Sequence, residues 1–347
     1  MIYFIACHGG PADHFATFAE ELTRSGHTVE IYASGPALVK LKERGCTAIE
    51  FDAEDPSYAE TLTTELAGKA TVLFTDVGHR FDVSIHQALS QKAPRVLRLA
   101  YYDNPEASVP GDYGVIAQEV MRVANKTLFA NSHLAKKPEI AVGLGYYPVS
   151  AAKELAKRRS ETQTRLRAEL FAKYQMEDSG QKVAVYFGGC NDVYFENAFP
   201  AFLNCLSDLS DTALILHQHP RAKVQNQDAL QLQAWIKEHP NATVFLSTYT
   251  SDEAQCLADV ALYYQTSMGP AFALAGIPTI QVGHIPYEDV LVRGGLALVA
   301  TDGTSLKKAL ADAKPPEDER VVLQGLGLKE NWPSILKEAV NFTQKAP

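Results

Sequence analysis

The chain has no excess of positive charge: 32 lysines and arginines stand against 41 aspartates and glutamates, for a formal charge of −9. The one basic stretch, Lys153–Arg167, spreads its charges over a helical period. That balance argues against nucleic acid as a partner and against a broad anionic membrane surface, leaving at most peripheral membrane contact. Cysteine is scarce as well. Cys7, Cys46, Cys190, Cys205 and Cys256 are scattered, odd in number and mostly within apolar runs, so reduced thiols in the cytoplasm are expected rather than a disulfide framework or a zinc site. No apolar run approaches the ~20 residues that span a bilayer, and the first strand begins at Ile2 with no charged leader before it. A G-x-G-x-x-G fingerprint, a P-loop lysine motif, a Ser-His-Asp order and clustered metal ligands are all missing. The second strand ends in Ala33-Ser34 rather than in an acidic residue, which disfavours NAD. Neither cofactor nor metal is expected.

What is present reads as a folded α/β protein. Hydrophobic residues make up 46% and charged residues 21%, with no low-complexity tract, and 347 residues suit two domains of about 150 to 170 each. Apolar runs (MIYFIACH, HTVEIYAS, TAIEFDA, ATVLFTD, RVLRLAYYD, KTLFANS) alternate with amphipathic segments, the first of which buries Phe15, Phe18, Ala19 and Leu22 and stops at Gly26. Unbroken β-α alternation means a parallel sheet with helices on both faces. A long charged helix over about Ser150–Tyr174 follows a Gly143–Pro148 hinge, and a second series runs through KVAVYFGG, TALILHQHP, ATVFLST and VALYYQTSMG. The pattern predicts two Rossmann-like doubly wound domains facing a cleft, residues 1–148 and 149–328, with a closing helix in 329–347 that packs back on the first domain.

The candidate functional residues lie in the loops after strands. Gly9-Gly10 and Gly188-Gly189 each follow a strand; such loops admit a ligand to the backbone or merely give packing clearance. Ser267, Met268 and Gly269 open a short helix, where unpaired N–H groups suit a phosphate or simply an ordinary β-α turn. His217 and His219 share one strand face, and Arg221 follows Pro220; His and Arg suit a diphosphate, and equally an exposed strand end. His14, placed on the first turn of the first helix, could take a proton from a sugar hydroxyl. Asp76, His79, Arg80 and Asp82 in one loop, and Tyr101, Tyr102, Asp103, Asn104 and Glu106 in another, form a polar set at two strand ends. That set suits an acceptor or sugar pocket, or a solvated loop pair.

These residues resemble the GT-B superfamily of nucleotide-sugar glycosyltransferases and non-hydrolysing UDP-N-acetylglucosamine 2-epimerases, over nearly the full length. CHGGPADHF is similar in spacing to the glycine loop and following histidine of the enzyme that glycosylates lipid-linked peptidoglycan precursor, with Ala12 and Asp13 in place of two further glycines. FANSHLAKK and HIPYEDVLVRGGLALVATD are similar to later segments of the superfamily. The resemblance implies His14 as base, with Asp76 and Asp103 in reserve. It implies an acceptor held by Gly9, Gly10, His79, Tyr102 and Asn104, saccharide or lipid-linked. A nucleotide-sugar donor would be held without metal by Gly188, Gly189, His219, Arg221, Ser267, Met268 and Gly269. The family's ribose-binding glutamate would fall at Pro270 or Ala271, where no carboxylate stands, so Glu288 or another residue takes that role, or the chain binds without turnover. A homodimer is left open.

Overall fold

The computed structural model describes residues 1–341 apart from 56, 107–108, 110, 207–208, 210–211, 220–221, 223–225, 241 and 284–288. Two compact units emerge: Met1–Tyr147 together with Gly327–Pro347, and Pro148–Leu326.

The first unit is built on a seven-stranded sheet of order β3-β2-β1-β4-β5-β6-β7, all pairs parallel. Its strands are β1 (Ile2–Ala6), β2 (Val29–Ala33), β3 (Ile49–Glu50), β4 (Val72–Thr75), β5 (Leu97–Tyr102), β6 (Lys126–Phe129) and β7 (Ala141–Gly143). Every residue of β1, β4 and β5 is buried, as expected for central strands covered on both faces, and apart from Thr75 and Arg98 they are apolar. The chain winds outward from β1 to β3, then restarts beside β1 at β4. The loops after β1 and β4 therefore part in opposite directions and leave a crevice at their carboxyl ends.

Helix α1 (Gly9–Arg24) buries Phe15, Phe18 and Leu22, one stripe at helical spacing, against Phe4, whose ring stacks on Phe74 at 4.5 Å. It ends where Gly26 takes φ +90°, with His27 N donating to Leu22 O and Gly26 N to Thr23 O, a glycine-dependent stop. Helices α2 (Gly35–Glu43), α3 (Tyr58–Leu66), α4 (Arg80–Lys92) and α5 (Asp112–Val123) complete the unit's layers. The last helix, Trp332–Asn341, belongs to the same core: Leu336, Ala339 and Val340 are buried with Phe4, Phe15 and Phe18, and Trp332 lies 4.6 Å from the Tyr146 ring. Lys329 N donates to Gly145 O at 2.8 Å, and Ser132 N to Gly327 O at 2.9 Å. Gly145 sits at φ +68°, and a Cβ there would fall 2.8 Å from Lys329 N, so glycine is required twice over.

The second unit repeats the plan with six parallel strands in the order β10-β9-β8-β11-β12-β13. They are β8 (Lys182–Phe187), β9 (Thr212–His217), β10 (Val244–Leu246), β11 (Val260–Tyr263), β12 (Thr279–Val282) and β13 (Ala297–Ala300). Helix α6 (Val149–Lys173) is anchored by Leu155, Leu166, Leu170 and Phe171. Its arginines answer acids and carbonyls: Arg167 meets Asp178 and Asp259, Arg159 reaches Ala258 O, and Arg158 pairs with Asp252. The helix expected over Ala198–Leu209 is instead a π turn, Tyr194–Ala198, followed by Phe199–Asn204. Pro200, which has no N–H to donate, fits only the first turn of a helix and so restarts it there. The sequence reading passes over the helix Gly303–Asp312, whose cap is a reciprocal pair, Ser305 N to Asp302 Oδ1 and Asp302 N to Ser305 Oγ. Among the described residues no helix is long and apolar enough to cross a membrane.

Candidate functional site

Three consecutive strand ends of the first unit, at its switch point, carry titratable groups. His8 follows β1, Asp76 follows β4 and Asp103 follows β5. His8 Nδ1 lies 3.2 Å from Asp76 Oδ2, and the same oxygen accepts the N–H groups of Cys7 and His8 at 2.9 Å each. Asp76 is fully buried while the His8 side chain is 39% exposed, so the pair runs from the interior to a reachable ring. Burial pushes the Asp76 carboxyl up, but hydrogen bonds from His8 and Asp82, the His8 charge and the Cys7 N–H outweigh it and hold the group below its ordinary value. Half-buried Asp103 is pushed up to about 6 by burial and by the Asp76 charge, against a bond from Tyr113 Oη at 3.3 Å. An acid tuned to near neutrality beside a histidine–carboxylate pair has the properties of proton-transfer machinery.

Small residues make this packing possible. A Cβ at Gly10 would stand 3.0 Å from Asp103 Oδ2, and one at Gly78 only 2.5 Å from His8 Cε1 and 2.6 Å from Tyr113 Cε2. Gly78→Ala is therefore expected to push the His8 ring off Asp76. The measurable outcome is a lowered His8 titration midpoint by NMR with a cooperative melt retained, because the displacement reaches the His8–Asp76 pair before it reaches the core.

Several site expectations need correction. Helix α1 starts at Gly9, so His14 lies in its second turn, not its first, and is buried against Tyr101, Phe18 and Tyr146. Its Nδ1 meets Tyr101 Oη at 2.8 Å, and burial, with the Arg44 charge, lowers its pKa to about 3. A histidine that holds its proton so weakly is a poor base at neutral pH. Tyr102 is buried with Val77, Ala117 and Val120 under α5, not presented to an acceptor. His79 caps α4, its Nδ1 accepting from Phe81 N at 3.1 Å, with Nε2 3.1 Å from Glu54 Oε1. Asn104 closes a local turn by accepting from Glu106 N at 2.9 Å. Gly9 lies in the first turn of α1, where an added Cβ would only come to ordinary contact distance of Pro36 O.

In the second unit, the glycines and turn residues of the expected phosphate loops make close contacts within the chain. Gly188 N donates to His217 O at 3.0 Å, and added Cβ atoms at Gly188 and Gly189 would collide with the Tyr194 ring. Met268 N donates to Thr266 Oγ1 at 3.1 Å, Gly269 N turns back to Thr266 O at 3.4 Å, and a Cβ on Gly269 would strike Leu291. The N–H groups of Gly188, Met268 and Gly269 are thus engaged within the chain, while Ser267 is exposed. His217 does not share a ligand face with half-buried His219: its ring is buried between Ser247 Oγ and Ser251 Oγ, 3.1 Å from each. Arg221 and Glu288 lie outside the described residues. The polar groups at this unit's own switch point are Asn191, after β8, and Gln265, after β11, joined at 3.4 Å.

Sequence reasoning missed His8, although the signal was there: a titratable residue at the end of a buried apolar run, as Asp76 and Asp103 are. It also could not see that Cys7, Asp76 and Asp82, far apart in the chain, bring one ligand atom each within 4.8 Å of one another, the one such group among the described residues.

No protein-family model matches the chain, and no curated protein does. Solved structures do. A glycosyltransferase from Rickettsia africae is similar with TM-score 0.68 and 11% identity, covering 100% of this chain and 99% of that one. The UDP-GlcNAc 2-epimerase of Neisseria meningitidis bound to UDP-GlcNAc matches with TM-score 0.64 and 11% identity over 99% and 100% of the two chains. The Methanocaldococcus jannaschii UDP-GlcNAc 2-epimerase with UDP-GlcNAc and UDP gives TM-score 0.60 and 12% identity over 93% and 98%. At such identities the likeness is one of fold alone, two Rossmann-like parallel-sheet units of GT-B type.

Proposed function

We propose that the protein is a nucleotide-sugar enzyme of GT-B type that transfers a sugar to a hydroxyl acceptor, with His8 as the base and Asp76 as its orienting partner. The observation that carries this reading is the His8–Asp76 pair at the first sheet's switch point, buried at the carboxylate end and exposed at the ring. With Asp76 accepting at Nδ1, the ring's Nε2 takes the acceptor's proton as the oxygen attacks the sugar carbon. The diphosphate leaves with the bonding electrons. Asp103, near neutral in pKa, sits beside the same ligand space and supplies a second proton-transfer group. On the donor side, Ser267, Asn191 and Gln265 at the second sheet's strand ends are the polar groups that would meet the nucleotide diphosphate.

A second reading, 2-epimerisation of a nucleotide sugar, is favoured by the same Asp103: removing and returning a proton on one sugar uses two acid–base groups, and His8 and Asp103 provide them. Structures of epimerases holding UDP-GlcNAc are among those of like fold. The test begins with melting in the presence of UDP, GDP, CDP, CMP, ADP and TDP. A tenfold excess over Kd stabilises by about 1.4 kcal/mol, which is visible as a raised Tm. The corresponding donor is then followed by NMR with and without saccharide acceptors. Nucleotide release that requires an acceptor supports transfer, and a C2 epimer formed without one supports the second reading. Stabilisation without turnover of any donor would leave a binding protein, and no stabilisation by any nucleotide would overturn both enzymatic readings.

A further inference from the structure

Asp76 Oδ1 and Asp82 Oδ1 are sealed from solvent and have no hydrogen-bond partner among the described residues. Both side chains are 0% exposed, and they converge within 4.8 Å together with the Cys7 thiol. The other oxygen of each is engaged. Asp76 Oδ2 accepts from Cys7 N, His8 N and the His8 ring, and Asp82 Oδ2 accepts from His79 N at 3.0 Å, where Asp82 closes the capping box of α4. Two carboxylates cannot both stay ionised at such separation when buried from bulk solvent, since each removes solvation from the other and adds repulsion. One proton held between the two partnerless oxygens satisfies both. It belongs on Asp82, because Asp76 has three donors for its anion and Asp82 has one.

We propose that Asp82 is a positioning residue, a neutral carboxyl that donates to Asp76 Oδ1 and so fixes the carboxylate that orients His8. The inference rests on His8 being the base. Burial, reinforced by the Asp76 charge, pushes the Asp82 carboxyl well above its ordinary value, in keeping with this. The groups that face Asp82 are Asp76 at the end of β4, Cys7 at the end of β1 and His79 at its own cap, with Glu54 reaching that histidine from the β3–α3 loop. The Cys7 thiol is pushed up by burial, with the Asp76 and Glu54 charges adding to it, which keeps it a thiol. As His8 gains and loses a proton, the Asp82 donor keeps Asp76 ionised and stops it from turning away, so the ring keeps one tautomer and one direction.

The test is the titration of the His8 ring, followed by NMR on the whole protein with labelled histidine, in the native chain, Asp82→Asn and Asp82→Ala. It needs no substrate, so it stays informative if the enzymatic reading fails. Asparagine keeps the acceptor for His79 N–H and offers an amide donor to Asp76. The His8 midpoint is expected to stay where it is in Asp82→Asn and to rise in Asp82→Ala, where Asp76 loses a donor and presents more charge to the ring. If a donor substrate is found, Asp82→Ala should lose about tenfold or more in kcat with nucleotide Kd unchanged, and Asp82→Asn should recover most of that loss. A downward move of the His8 midpoint in Asp82→Asn would mean that Asp82 carries a charge, and would overturn the proposal. So would an unmoved midpoint in Asp82→Ala. One equivalent of tightly held metal in the purified protein, lost in Asp82→Asn, would replace the shared proton with a cation on Cys7, Asp76 and Asp82 and overturn it equally.

Discussion

Asp82→Asn is expected to gain stability relative to the native protein as pH rises from about 4, by about 1.4 kcal/mol for each pH unit over which native Asp82 keeps its proton. The sign follows from the direction of the shift. Asp82 has a folded-state pKa raised well above the unfolded value, so its favourable contribution is complete below the unfolded pKa, about 3.9, and fades as pH climbs toward the folded one. Asparagine needs no proton to fold. Urea unfolding of both proteins at pH 5 and pH 7 reads the difference, with any constant effect of the substitution cancelling between the two. A gap that stays the same at both values would mean that Asp82 is ionised in the folded chain. The native curve alone is a poor reporter, because other buried groups tilt the opposite way. His14 and His86 are each held near pKa 3 by burial, next to the charges of Arg44 and Arg98 respectively. Their neutral forms contribute stability that is present above about pH 6.5 and lost as pH falls toward 3. Between about pH 4 and 6 the two histidines and the acids Asp82 and Asp103 work against each other.

The second large effect concerns the chemistry. Asp76→Asn and His8→Gln should each lower kcat by about 10²- to 10⁴-fold, the range of a general base with its orienting partner. The double variant should be little worse than either alone, because groups that act as one unit are lost together. Nucleotide affinity should survive in all three, since the proposed nucleotide contacts, Ser267, Asn191 and Gln265, all belong to the second unit. Equal loss of binding and turnover would show that His8 and Asp76 hold the donor rather than activate the acceptor. His14→Ala should behave differently, losing stability through a cavity and a partnerless Tyr101 hydroxyl.

The fold was legible because its rule is local. A buried parallel strand must be apolar along most of its length, and IYFIA, VLF and LAYY say so without reference to anything distant in the chain. The site was legible only as far as that rule extends. Asp76 and Asp103 could be named because each ends such a strand. His8 ends one too, but the resemblance of CHGGPADHF to a glycine loop with a later histidine drew attention to His14. The true start of α1, at Gly9, turned that ring inward. Gly188 and Gly189 illustrate the other limit. The permissive backbone is visible in the sequence, whereas the Tyr194 ring that requires it becomes apparent only when the π turn has been placed. The link between Asp82 and Asp76 depends on the register of α4 against β4, which no spacing rule supplies.

The return of the last helix to the first unit bears on the order of events during synthesis. The first unit's core includes Leu336, Ala339 and Val340, and Trp332 lies against Phe18 and Tyr146, so the amino-terminal half stays unfinished until the final helix has left the ribosome. The second unit is continuous from Pro148 to Leu326 and has all its own parts earlier. The half that is translated second is therefore the half that can finish folding first, and the nascent chain carries an open aromatic face around Phe18 and Tyr146 in the meantime.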